Sequence, residues 1–140
     1  VSTTSRSAPR PAFAERALRV GLAVFGVSYL LIALFQVADP VAFVHDIGPY
    51  GAPNGHYVRD LSTFSAALGA GLLIAAWTPS WRVPMLVVAV VQGVLHTVNH
   101  LVDIDAATRS GAGVANAVAL ALSVAVLVWL LSLARRESVA

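Results

Sequence analysis

His96 and His100 stand four positions apart, the spacing that brings two imidazoles onto one helix face, where they can share a divalent metal. They belong to the segment VQGVLHTVNHLVD. On a helix, Gln92, His96, Asn99, His100 and Asp103 of this segment fall within an arc of roughly 100°. The segment GHYVRD and the residues just after it place His56, Arg59, Asp60 and Thr63 on a comparable arc. If the two arcs meet, His56 and Asp60 complete a metal site with His96 and His100, and Asp103 is a further candidate ligand. The same residues allow acid–base work on a lipophilic substrate, such as opening an epoxide or moving a double bond. Asp60 and Asp103 beside Arg59 can be held in different protonation states. Gln92, Asn99, Tyr57 and Gln36 are the candidate ligand-binding side chains. A third reading makes the cluster a packing network, with Arg59 paired to Asp60 or Asp103 and the histidines bonded to Asn99 or Gln92.

A bare divalent ion suits the pattern better than haem. Two histidines on one helix cannot be trans-axial ligands of one iron, so a bis-His haem needs His56 with His96 or His100 across two helices. The desaturase-type histidine boxes need more histidines than the four in this chain. With no cysteine, disulfides, thiol redox chemistry and thiolate metal sites are excluded.

The elements that must position these residues are apolar. Of 140 residues, 58% are hydrophobic and 11% charged, and the mean hydropathy is +0.78. Soluble domains carry about 25% charged residues, so the expected solvent is lipid. Four runs are long enough to cross a hydrocarbon core of ~30 Å, at residues 17–37, 56–77, 83–102 and 114–134. Residues 1–16 read as a disordered cytoplasmic segment and 135–140 as a cytoplasmic tail. The basic start followed by an apolar run also fits a signal peptide, but the run is long and Gln36 sits where a cleavage site should be small and neutral. An uncleaved span is expected.

Between the first two runs, residues 38–55 are rich in proline and glycine and read as a loop with a short helix near residues 40–47. Asn54 is placed to cap the second span. Residues 78–82 read as a tight turn flanked by the interfacial tryptophans Trp77 and Trp81. Seven of the nine arginines then fall on one side, leaving only Arg59 and Arg109 on the other. That bias predicts an all-α, up-down-up-down bundle of four transmembrane helices with both termini cytoplasmic. Small residues at four-residue spacing, Ser65/Gly69 and Ala67/Gly71, predict close helix contact in the second span.

On this topology all four spans carry polar residues in their outer halves: Gln36 and Asp39, with Ser28 and Tyr29 further down; His56 to Thr63; Gln92 to Asp103; and Asn116. His96 lies about 9 Å below the end of its span, and unpaired polar side chains at such depth are expensive in lipid. The expected partners are the lipid bilayer and a small lipophilic molecule or a partner membrane protein. Self-association is compatible with this pattern, and the basic residues mark topology rather than a nucleic-acid surface.

The four-helix layout and size resemble the DoxX-like group of small bacterial membrane proteins, and GHYVRD and HxxNHLVD resemble segments of uncharacterised actinobacterial members. The resemblance covers most of the chain. It implies an inner-membrane location and, for some relatives, a role beside quinone or sulfur oxidation.

Overall fold

The structure is a computed structural model that describes residues 12–139. The N-terminal segment expected to be disordered lies, up to residue 11, outside the described residues. Five helices follow one another: α1 (Ala12–Ala38), α2 (Pro40–Asp46), α3 (Gly55–Trp77), α4 (Pro79–Val102) and α5 (Ala112–Val139). All but α2 are long and apolar enough to cross a membrane. At 23 residues, α3 is the shortest of the four, and at ~1.5 Å per residue it still exceeds a ~30 Å core.

Local chemistry sets the boundaries. The Asp39 side chain accepts from the Ala42 amide to start α2, with Pro40 directly behind the cap. The Asn54 side-chain Oδ1 accepts from the Tyr57 amide to start α3, as expected of a cap. The expected turn at residues 78–82 is shorter in the structure. Thr78 alone separates α3 from α4, because Pro79 occupies a position whose missing N–H has no helical partner to lose. Arg82 therefore lies in the first turn of a helix. The long helices also run past their expected ends: α1 begins at Ala12 and α5 continues to Val139.

The long helices form a ring in which α1 packs on α3, α3 on α4, α4 on α5 and α5 on α1. α1 and α4 face each other across the middle, and their Cα atoms nowhere come within 8 Å. The closest approach in the ring is between α1 and α3. A Cβ on Gly69 would meet the Gly26 carbonyl oxygen at 2.8 Å and the Leu30 amide nitrogen at 3.0 Å. Both are backbone atoms, which cannot swing away. This is the small-residue contact expected of Ser65/Gly69. Gly71 instead accommodates Met85 of α4, whereas Ala67 is exposed.

The two ends of the ring are filled differently. Around Arg82 the interior is leucine: Leu18, Leu22, Leu72, Leu86, Leu127 and Leu130 are fully buried. Toward His100, apart from Phe43 of α2 and Val58, the buried side chains are smaller or polar: Ala33, Gln36, Ser62, Ser65 and Ala117. The His100 end is closed by its loops. The Thr108 amide donates to the Pro49 carbonyl (2.8 Å), Arg109 to the Asp46 carbonyl (3.1 Å), and the Asn116 side chain to the Ile47 carbonyl (3.0 Å). The residues after α2 are thereby pinned across the connection between α4 and α5.

Candidate functional site

At the His100 end, three residues of the expected stripe on α4, Gln92, His96 and His100, are half-buried. The His96 and His100 rings meet edge to face with centroids 4.7 Å apart. Tyr50, held in the pinned loop, shares a 3.0 Å hydrogen bond with His100 Nδ1. One turn deeper, the Tyr29 hydroxyl of α1 donates to Gln92 Oε1 over 2.8 Å, spanning the middle of the ring. Gln36 lies seven residues beyond Tyr29, on the same side of α1 and about 10 Å closer to the His100 end. Its side chain is 2% exposed, and its Oε1 has no hydrogen-bond partner among the described residues. Gln36, Tyr29, Gln92, His96 and His100 thus mark one polar column inside the bundle.

The second expected arc does not join this column. Val58, Ser62, Ser65 and Gly69 form the buried side of α3, turned to α1 by the glycine contact. His56 and Asp60 each precede one of these residues by two positions, about 160° around the helix. They therefore point away from the interior. Their side chains are 81% and 69% exposed and pair with each other, His56 Nε2 to Asp60 Oδ2, at 3.4 Å. The four expected metal ligands form two pairs on two helices, and among the described residues no three His, Asp or Glu side chains gather as a metal site. The expectation that His56 or Asp60 comes within reach of His96 or His100 is corrected on this point. Both lie in the first turns of α3, where water and headgroups satisfy them and no burial is required.

The remaining candidates are distributed as follows. Arg59 is exposed, folded back over Gly55, and makes no ion pair with Asp60 or Asp103. Asp103 is exposed at the end of α4, Asn99 is exposed, and Tyr57 is exposed beside its cap. Gln92 and Gln36 both belong to the column. Tyr50 carried no sequence signal, since it lies in a proline- and glycine-rich loop without periodicity.

Toward the His100 end, one side of α3 is left uncovered. On one side of α3, Gly71 and Ala75 lie buried under Met85 and Arg82 of α4. Further along that same side Ala67, Phe64 and Asp60 are exposed, Phe64 at 75%. Met85, Gln92 and His96 follow one line along α4, and Gln92 and His96 are half-buried.

The other end of the bundle holds a site that the sequence did not suggest. Arg82, read as a marker of topology, is buried. Its Nη1 donates to Glu15 Oε2 (2.6 Å) and Glu137 Oε2 (3.1 Å), and its Nη2 donates to Glu15 Oε1 (2.9 Å). Nε and Nη2 also reach the Ala75 and Ala76 carbonyls, each at 3.4 Å. One guanidinium therefore joins the starts of α1 and α4 to the ends of α3 and α5. Glu15 and Glu137 are the only glutamates in the chain; that pairing of one acid type with the sole arginine between the second and third spans was the available signal.

No protein-family model, curated protein or solved structure matches the chain. The DoxX-like resemblance rests on layout and the two quoted segments alone, so a functional reading has to come from the geometry.

Proposed function

We propose that the protein is a multi-pass protein of the cytoplasmic membrane, its spans running up, down, up and down with both termini inside. In its outer half it binds a small lipophilic molecule that carries a hydrogen-bond donor. Five of the described arginines, Arg16, Arg19, Arg82, Arg135 and Arg136, lie at the Arg82 end, which supports that end as the cytoplasmic one. Reporter fusions at both termini should read cytoplasmic.

The binding reading is carried by Gln36. A buried carbonyl oxygen without a partner is destabilising by about 1–3 kcal/mol, and the low dielectric of the interior deepens that penalty. A ligand hydroxyl or N–H donated to Gln36 Oε1 removes that penalty. The uncovered side of α3 at Phe64 and Ala67 is the proposed approach from the bilayer, and half-buried His96 is the proposed second polar contact. The acid–base reading has less support, because Asp60 and Asp103 are exposed and neither is hydrogen-bonded to the column. A metal held by His96 and His100 would need ligands from outside the described cluster.

The test is Gln36→Leu, with native mass spectrometry and solvent extraction of protein purified in mild detergent. Wild type should carry a lipophilic adduct that the variant lacks, while the variant melts at the same or a higher temperature. Loss of stability in the variant, with no adduct on wild type, would show Gln36 to be part of a packing network.

A further inference from the structure

The Arg82 cluster has a consequence for the surface around it. Glu15 and Glu137 accept from the same nitrogen of one guanidinium, so the start of α1 and the end of α5 are drawn together. Their sequence neighbours Arg16, Arg19, Arg135 and Arg136 are all exposed. The cluster thereby gathers four exposed arginines from opposite ends of the chain into one patch. Arg82 sits between the two carboxylates, so most of the local negative charge is already engaged beneath the surface. Arg19 also touches Glu15, at 3.3 Å. Counting Glu15, Arg16, Arg19, Arg82, Arg135, Arg136 and Glu137, five positive charges stand against two negative, a net charge of +3.

The depth of the patch is marked independently. Trp77 and Trp81, in the turns on either side of Thr78, are 61% and 46% exposed, and Phe13 beside the start of α1 is 73% exposed. Exposed tryptophans at the ends of spans sit at headgroup level. Arg82 lies one residue from Trp81, so the arginines around its cluster stand at the same level. Arginine binds phosphate through paired, parallel hydrogen bonds, which a lysine cannot reproduce, and all basic residues of this chain are arginines.

We infer that this collar of Arg16, Arg19, Arg135 and Arg136 is a binding surface for anionic phospholipid headgroups. It is organised from beneath by the Arg82–Glu15–Glu137 cluster. The site is separate from the polar column at the His100 end, and its existence does not depend on the ligand proposed there.

The experiment uses the full chain in nanodiscs or mixed micelles with phosphatidylglycerol against phosphatidylcholine, read by native mass spectrometry of retained lipids. Phosphatidylglycerol should be retained preferentially. Each arginine near a charged membrane surface contributes enough that its removal weakens binding roughly fivefold. Arg16→Gln, Arg136→Gln and the combined variant should lose retention stepwise, whereas Arg59→Gln and Arg109→Gln at the other end should not. Should the combined variant not fold, the wild-type preference can be followed in about 1 M salt, where the Debye length of about 3 Å should abolish it. Equal retention of the two lipids would overturn the proposal. So would loss confined to the Arg59 and Arg109 variants, or displacement of the lipid by millimolar glycerol phosphate, which would make a soluble anion the ligand.

Discussion

Arg82 and Glu15, 67 positions apart in the chain, are joined by two parallel hydrogen bonds of 2.6 and 2.9 Å. The guanidinium is 3% exposed and the carboxylate 27%, so the pair is partly shielded from water. Burying such charges is expensive, and their attraction offsets that only while both partners are present. The pair therefore fixes the arrangement of the four long helices more than it adds net stability.

Arg82→Met should accordingly be the most damaging single change at that end. It strips Glu15 and Glu137 of their shared guanidinium, with Arg19 still beside Glu15 at 3.3 Å, and breaking a buried pair in this way costs about 3–5 kcal/mol. Glu15→Gln should cost less, because Glu137 still balances the guanidinium. Thermal melting in mild detergent gives the comparison. An Arg82→Met protein that melts with wild type would mean that the cluster does not hold the helix ends together.

At the Gly26–Gly69 contact the prediction is steric. Gly69→Ala places a methyl group against the Gly26 carbonyl and the Leu30 amide, so α1 and α3 must move apart. Overpacking of this kind costs about 1–3 kcal/mol. Ala67→Val, two residues away on an exposed side, should change little. The two melting temperatures measured side by side check the assignment, and equal effects would contradict it.

The four spans were legible in the sequence because length and apolarity alone decide them, and so was the Asn54 cap, which is a local signal. The expected meeting of His56 and Asp60 with His96 and His100 was not. Periodicity tells which residues share a face of one helix, but not how that helix is rotated against its neighbours. In α3 the rotation is set by Gly69 against Gly26, which turns Val58 and Ser62 inward and so turns His56 and Asp60 out. Arg82 was missed for a different reason. Its carboxylate partners lie 67 and 55 positions away, and charge near a span end is read as topology unless a long-range contact is already known.

The loop that closes the His100 end should respond to Tyr50→Phe. This removes the hydroxyl shared with His100 while keeping the ring that packs edge to face on the imidazole, at a centroid distance of 5.0 Å. One hydrogen bond of this kind contributes about 0.5–1.5 kcal/mol, so global stability should fall slightly. Backbone hydrogen exchange should rise locally, at the Thr108 amide that donates to Pro49. Unchanged exchange at Thr108 would mean that the loop is held by its backbone contacts alone.

The Tyr29–Gln92 hydrogen bond allows a sharper test, because its loss depends on which side is removed. Tyr29→Phe takes away the donor and leaves Gln92 Oε1 with no hydroxyl to accept from, in the half-buried middle of the ring. Gln92→Leu removes the acceptor and leaves the Tyr29 hydroxyl unpaired. Interhelical hydrogen bonds in membrane proteins average about 0.6 kcal/mol and reach about 1.7, so each single variant should lose up to that amount. The double variant Tyr29→Phe with Gln92→Leu strands neither group, and replacing both partners by apolar side chains can be nearly neutral. It should therefore melt at or above the temperature of either single variant. If the losses instead add, the two residues act independently, and the bond across the middle of the bundle contributes nothing. In that case Gln92 would more simply be counted with His96 as a half-buried side chain of α4 with no role in holding α1.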